Sequence, residues 1–397
     1  MTLSPSDAAC PEKQLLVLCA RTRMQPSIAE RIRVLAAGPI DWDYLLSEAA
    51  ANSITPLLAG QLSAAADTVA PGHLERLKQL ARANAMRCLV LTAELIKIID
   101  LFRSERIQAI PYKGPVLAAQ AYGDISLREY EDLDIILRQR DMAKANEIIT
   151  SLGYRARFPW VLSAGAPASV VPGEYNYRDA ARSMTIELHT EVTLRHFPVP
   201  PDLDDLAKRL MPVSLSGHDV WTFGAEDMLS LLCIHGSKDF WERISWIADI
   251  AEFVQSQSQL DWNQVFQRTE ALHAERMLHL GLALAAGLLD APMPDEVISR
   301  VRGDRVATGV ASEIERRLLA RSPHPLGAAQ VFRYRRRMVE GAFAGWRYAL
   351  RLATIPAEED WQSVRLPGPL APLYVALRPF RLLRKYGMAG RGEPHSS

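Results

Sequence analysis

Apolar residues in the first hundred positions recur at helical spacing. The pattern predicts helices over Ser27–Ala36, Asp41–Ala51 and Thr55–Ala65. From His73 to Ser104 the apolar positions Leu77, Leu80, Ala83, Leu91, Leu95, Ile98 and Phe102 predict one long helix, broken at most once. The period then changes. Ile107–Pro111 reads as a short strand. Pro115–Tyr122 reads as a short helix with proline near its start, where the missing N–H costs least. Leu133–Leu137 alternates as a strand. Asp141–Leu152 reads as a helix, with Asp141 as N-cap and Gly153 just past its end. Tyr154–Phe158 and Met184–Val192 read as strands, and residues 159–176, rich in Ala, Pro, Ser and Gly, as a loop beside the site. Helical periodicity returns from Ala225 to Val254 and dominates to about residue 355.

This order predicts an α+β fold, a small mixed sheet flanked by N-terminal and C-terminal helical regions. The expected divisions are a helical region over 1–104, a mixed core over 105–222, a helical domain over 223–355 and a tail over 356–397. Composition changes little in that picture. The 397 residues are 48% hydrophobic and 23% charged, as expected of a folded chain. Lys+Arg and Asp+Glu are equal at 46 each, so no global charge draws the chain to nucleic acid or membrane. Cys10, Cys19, Cys88 and Cys233 are widely spaced and form no CxxC pair, which predicts reduced thiols and a cytoplasmic location. The N-terminus lacks a signal-peptide pattern, and no apolar run approaches the roughly 20 residues of a membrane helix.

Candidate chemistry gathers in the mixed region. In Asp132-Leu133-Asp134-Ile135-Ile136-Leu137, alternation sends Asp132 and Asp134 to one face and Leu133, Ile135 and Leu137 into a core. Two like charges on one face repel, and a cation between them relieves the repulsion. Magnesium suits such a place, because it takes oxygen ligands and keeps positions open for phosphate. On Thr185-Ile186-Glu187-Leu188-His189-Thr190-Glu191 the polar face carries Glu187, His189 and Glu191. If this strand lies beside the aspartate strand, Glu187 completes a carboxylate triad of the kind two-metal phosphoryl chemistry requires. The bland reading of both strands is a solvated sheet face. Lys113-Gly114 stands at a strand-to-helix turn, where glycine lets a phosphate approach the backbone and Lys113 adds positive charge. Arg128, just before the aspartate strand, is a further candidate phosphate contact.

The run from Tyr112 through Lys113-Gly114-Pro115 to Asp132-Leu133-Asp134, then Ser151-Leu152-Gly153-Tyr154, then Ile186-Glu187-Leu188-His189, resembles the uncharacterised nucleotidyltransferase family of the polymerase-beta-like superfamily. The resemblance extends through Ile234-His235-Gly236-Ser237-Lys238-Asp239 and Trp246–Ala251 to the Leu366-Pro367 and Arg378-Pro379 segments. It implies transfer of a nucleoside monophosphate from an NTP such as ATP to an acceptor. Asp132, Asp134 and Glu187 would be both catalytic and metal-binding, with Mg²⁺ (or Mn²⁺) as cofactor. Lys113, Gly114, Arg128, His235 and Lys238 would bind nucleotide. The implied acceptor is a small molecule, saccharide or peptide rather than nucleic acid. One departure stands out: Lys113-Gly114 replaces the superfamily's usual Gly-Ser. That leaves open a non-catalytic module on the same fold, or a phosphotransferase moving a γ-phosphoryl group.

His235, Lys238 and Asp239 share a helix face. Trp246, Ile250 and Phe253 form a core stripe, and Asp249 suits a partner for a nearby arginine or a cap. Residues 331–397 carry twelve Lys or Arg against five Asp or Glu. The sequence favours a solvated helix face and exposed tail there over an anion-binding surface.

Overall fold

The structure, a computed structural model, describes residues 10–159, 173–193, 195, 197, 199, 201–322, 326–340, 350–351, 354–356, 360, 364, 366, 370 and 372–387. The fold is α+β. Five strands form one mixed sheet: β1 (Ala109–Tyr112), β2 (Asp132–Leu137), β3 (Arg155–Ala156), β4 (Glu174–Asp179) and β5 (Met184–His189), in the order β1-β2-β5-β4-β3. β5 pairs antiparallel with β4, and β4 with β3. A separate hairpin joins β6 (Leu210–Leu215) to β7 (His218–Phe223). Its turn, Ser216-Gly217, holds both residues at positive φ, as a two-residue hairpin requires.

The helices at Pro26–Ala36, Trp42–Ala51 and Thr55–Ala64 follow the periodic pattern, and Asp41 caps the second by accepting from Tyr44 N–H. The long helix Pro71–Ser104 is unbroken. Four local readings need correction. Asp141 precedes helix Met142–Ser151, but its side chain makes no capping bond, because its own backbone is already helical. Residues 174–176, read as loop, begin β4: Tyr175 and Tyr177 are buried on one face while their neighbours stay polar. Helix Pro11–Cys19 was not expected, because Leu15 to Cys19 are all buried and so show no period. The β6–β7 hairpin was also not expected. The rest of the loop, residues 160–172, lies outside the described residues.

The chain divides into two compact units, neither continuous in sequence. One comprises Met1–Asp100, Ile110–Leu133 and Asp205–Pro325. Within it, helix Glu275–Leu289 packs against helices Ala225–Lys238, Ile244–Ser256 and Arg305–Leu319. The turn after Ala225–Lys238 places Trp241, fully buried, against Gly236; a Cβ there would lie 2.6 Å from the indole, so only glycine fits. Thr222 Oγ1 donates to the Pro111 carbonyl at 2.7 Å, tying β7 to β1. The other unit comprises Leu101–Ala109, Asp134–Asp204 and Leu326–Ser397. Its core is built from Ile135, Leu137, Ile149, Tyr177, Ile186 and Leu188, with the Tyr177 hydroxyl donating to Asn146 Oδ1 at 3.0 Å. In the same unit the Asp360 carboxylate is buried between Arg378 and Arg381, so part of the C-terminal positive charge is neutralised within the chain. Among the described residues no helix is long and apolar enough to cross a membrane.

Candidate active site

β2 and β5 are neighbours in the sheet, and this adjacency decides the site. On β5 the burial alternates strictly. Met184, Ile186 and Leu188 are buried, while Thr185, Glu187 and His189 face the half-covered side. On β2 the alternation holds only at the start. Asp132 is half-buried and Asp134 is 8% exposed, but Ile136, which shares their side of the pleat, is buried as completely as Ile135. Asp134 therefore stands where a wet edge gives way to core, and its charge is poorly served by water.

His189 meets that charge. Its Nε2 lies 3.0 Å from Asp134 Oδ1 and 3.6 Å from Glu187 Oε2. Across β4, Glu174 stands opposite His189 and Asn176 opposite Glu187 in the antiparallel register. Burial disfavours the imidazolium. The hydrogen bond to Asp134 and the approach of Glu187, with the charges of Asp134 and Glu174, outweigh it and raise the His189 pKa to about 10. Among the described residues, the group able to hold a metal ion is Asp134, Glu187 and His189, whose donor atoms all lie within 4.8 Å of one another. Two carboxylates and an imidazole form a donor set that fits a divalent ion.

Asp134 and Glu187 thus converge, joined by a histidine not counted among the expected site residues. Its signal was present in the sequence: Glu187 and His189 are two apart on the polar face of a strand. Asp132 opens the same strand, two positions before Asp134.

The remaining expected residues belong to the other unit. Lys113 follows β1 with φ 58° and ψ −140°, and Gly114 comes next at φ 43°, so two consecutive residues take the left-handed half of backbone space. A Cβ on Gly114 would lie 3.7 Å from the Asp132 carbonyl oxygen, which places this turn against the start of β2. The Lys113 ammonium lies 4.8 Å from the centre of the Tyr112 ring. The following helix is only one turn, Gly114–Leu117, continued by a wider π-helical turn, Ala118–Tyr122.

Arg128 is held by a bidentate pair with Asp249, Nε to Oδ1 at 2.8 Å and Nη2 to Oδ2 at 3.0 Å, and the Tyr122 hydroxyl donates to the same carboxylate at 2.8 Å. The two charged side chains are only 10% and 3% exposed. Burial, then the adjacent Asp249 carboxylate, pushes the Tyr122 hydroxyl well above its usual pKa. Arg128 therefore clamps helix Ile244–Ser256 to the segment leading into β2. His235 Nδ1 and Lys238 Nζ each lie 3.4 Å from Asp239 Oδ2. His235 also packs edge-on against Trp246. Ile250 and Phe253 are buried as the stripe predicts, whereas Trp246 remains partly exposed between His235 and Arg243.

The site is a strand bearing Asp-x-Asp, flanked in a small mixed sheet by a strand that brings a further carboxylate near the second aspartate. Residues 38–290, more than half of the chain, match the family described as "Uncharacterised nucleotidyltransferase", and the chain belongs to that family. No curated protein matches it. Among solved structures, the antibiotic-resistance factor ANT(2'')-Ia is similar at 11% identity and a TM-score of 0.34, over 47% of this chain and 93% of that one. That likeness is too distant to bear on the chemistry.

Proposed function

We propose that this protein transfers a nucleoside monophosphate from an NTP to an acceptor of the small-molecule, saccharide or peptide class. The acceptor oxygen forms a bond to the α-phosphorus while the bond to the bridging oxygen breaks, and pyrophosphate leaves. The observation that carries this reading is the convergence of Asp134, Glu187 and His189 on neighbouring strands, in a chain of this family.

In this reading Asp132, Asp134 and Glu187 hold Mg²⁺ or Mn²⁺. When bound, the ions supply positive charge against the triphosphate and acidify the attacking hydroxyl. The chain's own part is placement. Buried Ile135, Ile186 and Leu188 fix both strands from behind, so the carboxylates need no reorganisation when substrate arrives. The Lys113-Gly114 turn holds Lys113 for the triphosphate, with Gly114 leaving room for the phosphate to approach the backbone. Arg128 acts as a positioning residue through Asp249, keeping the approach to β2 in place. His235 and Lys238 contribute to nucleotide binding when substrate draws them from Asp239.

The test uses the purified full chain with Mg²⁺ or Mn²⁺ and each labelled NTP. Metal-dependent binding and pyrophosphate release support the reading, and Asp134→Asn lowers turnover at least a thousandfold while the protein stays folded by circular dichroism. Release of a nucleoside diphosphate instead of pyrophosphate would make the protein a γ-phosphotransferase. Binding with no turnover on any acceptor would make it a binding module, and metal-independent binding unchanged in Asp134→Asn would remove the mechanism.

A further inference from the structure

His189 has no task in a purely carboxylate centre, yet it sits between the two carboxylates that the sheet brings together. Its Nε2 lies 3.0 Å from Asp134 Oδ1 and 3.6 Å from Glu187 Oε2. Donors at adjacent positions around a small divalent ion, each about 2.0–2.2 Å from it, stand about 3 Å apart. The separations around His189 are close to that spacing. An ion can enter where the three donor atoms, all within 4.8 Å of one another, close around it. The backbone is equally prepared. β5 and β2 are adjacent, β5 is anchored through buried Ile186 and Leu188, and β4 braces its other edge.

We propose that His189 is a direct metal ligand through Nε2, alongside Asp134 and Glu187, and that this nitrogen makes the site prefer Mn²⁺ over Mg²⁺. The proposal rests on the metal-dependent reading given above and names the ion that reading left between two candidates. The selectivity follows from ligand chemistry. Mg²⁺ is a small, hard ion that is bound through oxygen and keeps much of its water. Imidazole nitrogen suits first-row transition ions better than it suits Mg²⁺, and Mn²⁺ is the first-row ion that carboxylate oxygen also suits. A histidine that only orients the two carboxylates by hydrogen bonding would leave an all-oxygen set, which suits Mg²⁺ and Mn²⁺ alike.

The experiment uses the full chain stripped of metal and then loaded with one equivalent of Mn²⁺. Pulsed electron paramagnetic resonance reads nitrogen nuclei bonded to the ion. Wild-type protein is expected to show nitrogen modulation that changes to the 15N pattern when histidine alone is 15N-labelled, a readout that needs no variant. His189→Gln is expected to lose the modulation and to bind Mn²⁺ about tenfold more weakly or worse, since even partners outside the ligand shell cost that much. Its preference for Mn²⁺ over Mg²⁺ in competition should narrow. Bound Mn²⁺ without nitrogen modulation in the wild type, or modulation that persists in His189→Gln, overturns the ligand assignment and leaves metal-dependent transfer standing. Equal competition by Mg²⁺ in the wild type overturns the selectivity. Failure to bind Mn²⁺ at all overturns this inference and the metal-dependent reading together. Nitrogen-coupled Mn²⁺ in a protein that turns over no NTP keeps the ligand and removes nucleotidyl transfer.

Discussion

Lys113 carries a backbone conformation that an L-residue adopts at a cost of order 1–3 kcal/mol, and it does so directly before Gly114, which adopts its own positive φ freely. A glycine at 113 would remove the steric cost, yet lysine stands there, with its ammonium near the Tyr112 ring. Such strain is kept where position matters more than stability. Lys113→Gly is therefore expected to stabilise the fold by roughly 1 kcal/mol in urea unfolding while weakening labelled-NTP binding. A loss on both measurements would mean that lysine is there for packing. Asp134 poses the complementary case. Its carboxylate is nearly buried and depends on neighbours rather than water, so it has to be accompanied. Glu187→Gln keeps the shape of the cluster and removes one charge. It is expected to reduce metal affinity with little change in unfolding midpoint, as read by isothermal titration of Mn²⁺ beside a thermal melt.

The elements follow local chemistry wherever local chemistry is strong. Helix Arg305–Leu319 begins at Asp304, whose carboxylate accepts from the Val306 and Ala307 N–H groups at 3.0 Å each and lies 3.2 Å from His279 Nδ1. Burial opposes that charge. The backbone bond from Ala307, then His279 and Arg276, outweighs it, so the pKa falls below the usual 3.8. A depressed carboxylate contributes stability that is present above pH 3.8 and is lost as pH falls through the folded-state value. Asp304→Ala is expected to cost about 1–2 kcal/mol near neutral pH, from lost capping. The gap to wild type should close on acidification below pH 3.8, measured as urea midpoints across pH. β4 makes the same point from the other side. Its alternation of Tyr175 and Tyr177 with polar residues is a strand signal, obscured by the composition of the segment that precedes it.

At the scale of the whole molecule, residues distant in sequence are joined by buried polar contacts. Arg128 and Asp249 are 121 positions apart and form a nearly dry bidentate pair, with Tyr122 on the same carboxylate. Removing one member of such a pair leaves the other charged and uncompensated, which costs about 3–5 kcal/mol. Asp249→Asn is therefore expected to lower stability by that amount. Arg128→Met with Asp249→Leu should recover much of it, because the double variant leaves no stranded charge. Urea unfolding of the two variants checks both statements. A small effect of Asp249→Asn would mean that water reaches the pair.

The sequence by itself determined the helices between residues 26 and 104, the strands that carry Asp132, Asp134 and Glu187, and the shared face of Asp132 and Asp134. All of these follow from periods of 3.6 and 2 within a few residues. It left Asp249 between two roles, partner of a nearby arginine or cap. Only the tertiary structure decided that β5 lies beside β2, and so that Glu187 meets Asp134 and His189 stands between them, with Asp134 and His189 55 positions apart. It alone committed Arg128 to Asp249. Strand neighbours and ion-pair partners are long-range choices, settled by which buried faces fit, and no local period encodes them.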